Sequence, residues 1–331
     1  MVKQTNTKEI VLKMLEEKKD YVSGQEICDE LSLSRTAVWK HIKSLKSDGY
    51  EIDSVNNRGY KLISSPEILD KEHISEHLNS KWIAKDIIYL PSTDSTNIQA
   101  KYYGEKNHKN GTVVVTQEQT AGRGRRGRSW VSPIGNSYFS ILLYPDVRVD
   151  RASMITLIAA MAVARAVKET ASLDTMIKWP NDVVANGKKI CGILTESSTD
   201  LEYIQYVVVG IGINCNQTEF DDEIKATATS ISLETGKTVD RSKLLAKVFE
   251  YFEKYYETFI QTEDMSKLHE QYNELLINKG REVKIIEKDN VRVMSAVGIN
   301  DMGALIVENE NGNLEEIISG EVSVRGLYGY V

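Results

Sequence analysis

The sequence predicts an α+β chain of several domains. A small helical module closed by a hairpin comes first, then a larger mixed α/β region, then a small all-β barrel or sandwich. Three observations predict this. Helix-spaced apolar residues fill the N-terminal stretch, strand and helix patterns alternate over about 85–270, and short strands separated by turn signals recur after Glu282. With 331 residues, 41% hydrophobic and 27% charged, the chain is long enough for more than one core and too apolar to be disordered.

In the first module, Ile10, Val11, Met14 and Leu15 form one apolar stripe. Ile27 and Leu31 lie four apart on a second short helix that follows Gly24. Ser34 is a suitable N-cap for a third helix, on which Val38, Ile42 and Leu45 share a face and which Gly49 ends. Tyr50–Val55 and Tyr60–Ile63 read as strands around an Asn56-Asn57-Arg58-Gly59 turn. Ser64-Ser65-Pro66 then breaks the pattern, and residues 67–80 read as a short connecting helix.

Farther on, Asp86–Leu90, Gly111–Gln117 and Asn136–Tyr144 are strand-like. Arg151–Thr170 is apolar nearly all round, as a buried helix would be. Met176–Trp179, Val183–Ala185 and Lys189–Thr195 are short strands, the last two joined by Asn186-Gly187. Tyr203–Ile213 is a long β-branched run suited to a central strand, with Gly210 and Gly212 suggesting close approach of a ligand. Two amphipathic helices, about 240–260 and 263–277, close the region, and the final strands turn at Asp289-Asn290, Met302-Gly303 and Asn311-Gly312.

Composition excludes some classes and leaves others open. The net charge is −7 and the pI near 5.5, which argues against a protein coated in basic surface. Cys28, Cys191 and Cys215 are odd in number and widely spaced, as expected of reduced thiols in a cytoplasmic protein. The N-terminus has no signal-peptide core, and Met154–Val167 is too short to span a bilayer, so no membrane segment is expected.

The total charge hides local clusters. Residues 1–64 carry 11 Lys+Arg against 10 Asp+Glu, yet the third helix holds Arg35, Lys40, Lys43 and Lys46 with no acid between Leu31 and Ser47. A helix–turn–helix lays its recognition helix in the major groove and sets cations on phosphates. Ser34, Arg35, Thr36 and Trp39 would then face the groove, Lys40 and Lys43 the backbone, and Arg58 the tip of a wing. The plainer alternative is a solvated basic face, and the spacing plus the hairpin favours DNA.

Gly122-Arg123-Gly124-Arg125-Arg126-Gly127-Arg128 is the most informative stretch. Four arginines in seven residues repel one another, so stability does not explain them. The glycines let backbone N–H groups approach an anion closely. A dinucleotide fold would need a helix after the G-x-G-x-x-G pattern, and Ser129–Pro133 is helix-poor. The stretch also lacks the G-K-[ST] ending of a P-loop.

Six fragments in order then carry a resemblance. They are Asp94-Ser95-Thr96-Asn97, Gln119 through Trp130, Lys178-Trp179-Pro180-Asn181-Asp182, Lys189 through Leu194, Gly210 through Asn214, and Gly320 through Arg325. Together they resemble the bacterial family of bifunctional biotin–protein ligases and biotin-operon repressors, over essentially the whole chain. The resemblance implies a winged helix–turn–helix at 1–64, a linker at 65–84, a class II synthetase-like ligase domain at 85–277 and an SH3-like barrel at 278–331. It implies that biotin's carboxylate attacks the α-phosphate of ATP to give biotinyl-5′-AMP, from which a lysine of biotin carboxyl carrier protein takes the biotin. Mg²⁺ is implied by the nucleotide, with ligands unassigned.

The residue chemistry suits this. A carboxylate with a pKa of about 4 needs no general base at neutral pH. Holding two anions together is a task for positioned arginines. By resemblance, Ser95, Thr96 and Gln119 would bond the ureido ring, with Asn97, Gly122, Gly124 and Gly192 in the same site. Arg123 and Arg125 would close over biotin and the adenylate, and Lys189 would lie between carboxylate and phosphate. Arg126, Arg128, Trp130, Lys178, Asn181 and Asn214 would serve ATP, and Arg325 would reach back to it. Asp182 would either orient or deprotonate the acceptor amine, whose ordinary pKa is about 10.4, or merely fix the turn after Pro180.

The resemblance further implies that the adenylate orders a mobile Arg-Gly loop and acts as corepressor. Tyr203–Ile213 and neighbouring strands would pair across a homodimer, setting two winged helices on operator DNA. A repressor that only senses biotin, and a lipoate ligase, are the alternatives. Finally, His73, Glu76 and His77 spell an inverted zincin pattern, for which surface histidines are the ordinary explanation.

Overall fold

The computed structural model describes residues 7–18, 20–47, 50–56, 58–64, 69–200, 203–287, 290–318 and 323–326. Gly49, Asn57, the break at Ser65-Pro66, Asp289 and residues 320–322 lie outside these. The chain divides into two compact units, 1–67 and 68–331.

In the first unit, α1 (Thr7–Lys18), α2 (Gly24–Leu31) and α3 (Arg35–Ser47) precede a hairpin of β1 (Glu51–Val55) and β2 (Gly59–Ser64). Caps set the helix starts: Ser23 Oγ accepts the Glu26 N–H at 3.0 Å and Ser34 Oγ the Ala37 N–H at 3.2 Å. The stripes meet as expected, with Val11, Leu15, Ile27, Val38, Ile42 and Leu45 buried in one core. Val22 and Tyr60 exchange backbone hydrogen bonds at 2.8 and 2.9 Å. Gly59 makes that pairing possible, because its φ is +110° and a Cβ there would lie 2.0 Å from the Val22 carbonyl oxygen.

The second unit is built on a seven-stranded sheet. Its elements run α4 (Lys71–His77), β3 (Ile87–Thr93), α5 (Thr96–Glu105), β4 (Val113–Gln119), β5 (Ser137–Leu143) and α6 (Met154–Ala171). They continue as β6 (Met176–Lys178), β7 (Asp182–Ala185), β8 (Lys188–Asp200), β9 (Tyr203–Ile213), α7 (Ile231–Thr235), α8 (Arg241–Thr262) and α9 (His269–Leu275). The strand order is β3-β4-β5-β9-β8-β7-β6, with β3 and β4 parallel and the other pairs antiparallel. One face of the sheet is covered by α6 and α8, where Phe139 meets Phe249 edge-on at 5.2 Å. The other is covered by α5, over Val114, Leu142 and Val208.

The sequence reading did not anticipate α5 or α7, which are short and weakly patterned. β9 is central, as its composition suggested. It pairs with β8 along its length and with β5 over Val207–Ile213, so only the start of the strand retains an open side. Residues 69–84, read as linker, are packed: Leu69, Ile74 and Ile83 are fully buried in the main core.

The C-terminal strands β10 (Glu282–Glu287), β11 (Asn290–Ile299), β12 (Leu305–Glu308), β13 (Leu314–Ile317) and β14 (Ser323–Gly326) form an antiparallel sheet ordered β13-β12-β11-β10-β14. Among the described residues β13 and β14 do not pair, so the sheet is open where a closed barrel was expected. It is fastened to the larger sheet: Trp179 Nε1 donates to the Gly303 carbonyl at 3.0 Å and the Met265 N–H to that of Asp301 at 2.7 Å.

Candidate functional site

A cavity of about 460 Å³, part of it open to solvent, lies beyond the N-terminus of α5 over the paired strands β8 and β9. Ser95, Thr96, Asn97, Gln119, Arg123, Gly124, Arg125, Trp130, Asn181, Lys189 and Gly192 line it, together with Ile193, Leu194, Gly210, Ile211 and Gly212. Residues 95–212 are thus drawn to one point from five separate segments.

Its polar end is the start of α5. Asp94 Oδ1 accepts from the Ser95 N–H at 2.6 Å and from Gln99 Nε2 at 3.1 Å, which braces the first turn. Burial pushes the Asp94 carboxyl up, but the hydrogen bonds from Gln99, the Ser95 N–H and Thr93 outweigh it and hold the group below its ordinary value. The Thr96 N–H donates to Gln119 Oε1 at 2.9 Å, joining the helix to β4. Asn97 is buried, and both of its amide protons serve protein oxygens, so it is a brace rather than a free donor.

The Arg-Gly segment folds as a hairpin. Trp130 N–H donates to the Gly122 carbonyl at 2.9 Å, and Gly124 N–H to that of Arg128 at 2.7 Å. Arg126 turns the tip at φ 56°. Arg125 points inward and donates to Asn181 Oδ1 at 2.8 Å. Burial lowers the pKa of its guanidinium, Asp182 raises it, and Arg126 and Arg128 lower it again. Arg126 and Arg128 are exposed on the outer side and do not line the cavity.

Trp130 lies flat on the floor. A Cβ on Gly212 would stand 2.5 Å from its Nε1, and one on Gly192 would stand 2.8 Å from its ring. Gly192 and Gly212 therefore make room for an indole. The indole nitrogen is buried without a partner. Lys189 Nζ sits 5.1 Å from the ring centroid and 2.6 Å from Asp182 Oδ1.

Other expected positions fall outside the cavity. Lys178 and Asn214 are buried, and Asn214 Nδ2 donates to the Thr229 carbonyl at 3.0 Å, tying the end of β9 to the next loop. Gly122 forms the hairpin base. Arg325 lies on β14 opposite Lys284, and its side chain is outside the described residues. Cys191 is fully buried, and burial pushes its thiol up, so it is inert as a nucleophile. His73 and His77 face Asp70 and Asp240, and the described residues hold no cluster of three His, Cys, Asp or Glu side chains fit for a metal.

In the first unit, α3 presents Arg35, Thr36, Trp39, Lys40 and Lys43 to solvent, with Trp39 53% exposed. Lys43 Nζ lies 5.2 Å from the Trp39 ring. Arg35 donates to Gln25 at 3.0 Å, and Ser34 is occupied as a cap. At the wing, Arg58 rests 4.2 Å above the Tyr21 ring and 3.8 Å from Asp20.

The chain matches three family models: an HTH domain at residues 8–61, the biotin/lipoate A/B protein ligase family at 89–214, and the biotin protein ligase C-terminal domain at 280–325. It is 37% identical over 308 residues to the bifunctional ligase/repressor BirA of Bacillus subtilis, covering 92% of this chain and 94% of that protein. The chain belongs to the BirA family of bifunctional ligase/repressors. The Escherichia coli BirA is 29% identical over the same share of the chain. Among solved structures, the biotin protein ligase of Aquifex aeolicus in complex with biotin and ATP matches with a TM-score of 0.65 and 34% identity. That match covers 73% of this chain and 99% of the other.

Within this BirA-family site, sequence reasoning missed Ser140, Ser132 and Glu196, which bond the lining residues from behind. One signal was available for Glu196. On β8 it shares the face of Gly192 and Leu194, both of which line the cavity.

Proposed function

We propose that the protein joins biotin to ATP as biotinyl-5′-AMP with release of pyrophosphate, transfers the biotin to a lysine of its carrier protein with release of AMP, and represses the biotin operon through its N-terminal unit. One observation carries this. Arg123, Arg125 and Lys189 line the same cavity as the hydroxyls and amide of Ser95, Thr96 and Gln119. Such a site can hold a neutral polar ring together with two anions.

The chemistry follows from charge. The biotin carboxylate is ionised at neutral pH, since carboxylic acids titrate near 4. The enzyme's task in the first step is to hold that anion in line with an α-phosphate and neutralise the charge that builds there. Arg123, Arg125 and Lys189 are placed to do so. Asp182 holds Lys189 at 2.6 Å and accepts from Asn181 at 3.1 Å, which keeps the ammonium beside the cavity. In the second step Asp182 orients the incoming amine. Trp130 supplies an aromatic face to the nucleotide side.

Mg²⁺ would enter with ATP, held chiefly by phosphate oxygens and water. When bound it would neutralise charge on the triphosphate. In repression, α3 would enter the major groove, and the adenylate-bound homodimer would set two such helices on one operator. Because most of β9 is already paired on both sides, its interior cannot supply the strand pairing between protomers.

Pyrophosphate exchange into ATP tests the activity. Exchange should depend on biotin and not on lipoate. Exchange with lipoate would reassign the substrate, and none with either acid would leave only a sensor.

A further inference from the structure

The outward face of α3 has an apolar centre. Val38, Ile42 and Leu45 are buried in the core of the first unit. At roughly 100° per residue, the opposite arc of the helix runs from Arg35 through Trp39 and Lys43 to Lys40. All four side chains are exposed, and Trp39 is 53% exposed. A lone aromatic in solvent would need no explanation. This one stands among the cations Arg35, Lys40, Lys43 and Lys46, with no Asp or Glu between Leu31 and Ser47.

The neighbours of the ring fix how it is presented. Arg35 donates to Gln25 Oε1 at 3.0 Å, and Gln25 Nε2 donates to Asp29 Oδ1 at 2.7 Å, so the guanidinium is drawn back towards α2. Lys43 Nζ lies 5.2 Å from the indole centroid. That contact holds the ring against its own helix and lowers the entropy lost when a ligand orders it. The cations call for a polyanion, whose phosphates they can reach. The ring calls for something else. Indole offers one N–H donor and no acceptor, and the rest of its surface is apolar. Base edges in the major groove present donors and acceptors, and the apolar group among them is the 5-methyl of thymine. The negative face of the ring is poorly matched to the guanine acceptors O6 and N7.

We infer that Trp39 is a specificity-determining residue of the DNA-binding unit: its indole packs on the 5-methyl group of a thymine in the bound site. This rests on the repressor reading, in which α3 lies in the major groove. The lysines then supply affinity that is blind to sequence, and the indole supplies discrimination.

The test uses the full-length protein with biotin and ATP present, and duplexes that it selects from a random pool. Each thymine of the selected site is replaced in turn by deoxyuridine, which lacks only the methyl. At one position the replacement should weaken wild-type binding by about fourfold, the value of one buried methyl. In Trp39→Ala that same replacement should cost nothing measurable, while replacements elsewhere keep their wild-type effects. Trp39→Phe keeps an apolar ring and should keep part of the cost. If Trp39→Ala does not fold, Trp39→Gln, which leaves a long side chain on the helix without the ring, gives the same readout. A pool that yields no preferred sequence would remove the repressor reading and this inference with it. A selected site at which no methyl matters, or at which the methyl costs as much in Trp39→Ala as in the wild type, would overturn the inference alone. So would a Trp39→Ala change that weakens every duplex alike, since that places the ring on the sugar–phosphate backbone.

Discussion

Two regions of this molecule concentrate cations, and they hold them in opposite ways. On α3, Arg35, Lys40 and Lys43 stand in solvent beside an exposed Trp39. In the hairpin at 122–130, Arg125 is turned into a cavity, hydrogen-bonded to Asn181 and influenced by Asp182. Solvated charges act at long range and are screened by salt, which suits a large polyanion met by diffusion. Enclosed charges act at short range, cost desolvation, and repay it only when an anion arrives. The same two residue types thus suit a surface contact in one unit and, on the function proposed above, an enclosed anion in the other.

The largest expected break in this comparison is Arg125→Gly. Pyrophosphate exchange should fall by about 100-fold or more, the range for removing a preorganised charge from a reacting phosphate. Salt-dependent binding of non-specific DNA should not move. Loss of both, or neither, would erase the distinction. The reverse experiment is Lys40→Ala with Lys43→Ala. The slope of log affinity against log salt should drop by about 2, one for each lost phosphate contact. Biotin-dependent exchange should be unaltered.

Asp182→Asn sharpens the enclosed half. Transfer from preformed adenylate should slow by about 100-fold, the low end for a positioned acid–base group. An unchanged single-turnover rate would leave Asp182 a structural partner of Lys189. Gly210→Ala comes next. The new methyl would displace Asn97, and overpacking of this kind costs about 1–3 kcal/mol, read as a lower Tm together with weaker biotin binding.

The smallest effect concerns Asp94. Its folded pKa is depressed, so its contribution is present above the ordinary carboxylate value of about 3.9 and is lost as pH falls through the folded value. Asp94→Asn should flatten that acid limb by about 1 kcal/mol, typical of a helix-start bond. A thermal melt series from pH 5 down to pH 2 checks it.

Much of the fold was legible because its signals are local. The stripe of Val38, Ile42 and Leu45, the cap at Ser34 and the turn at Asn186-Gly187 each need only near neighbours. α5 was not legible, because its helix start is held by Asp94 and Gln119 rather than by an apolar pattern. The same holds for the stretch 69–84, whose buried Leu69, Ile74 and Ile83 look like any short apolar sprinkling until the core closes on them.

The sequence by itself determined the inventory: a basic helix after a turn, an Arg-Gly segment no core would tolerate, and the polar fragments at 94–97 and 178–182. Tertiary structure decided which members meet. It placed Lys178 and Asn214 outside the cavity, laid Trp130 across Gly192 and Gly212, and set Glu196 behind Asn97 from 99 residues away. The reason is physical. Periodicity and propensity report what a residue does to its own stretch of backbone, whereas hydrogen-bond direction and close packing depend on atoms that only the folded sheet brings within 3 Å or so of each other.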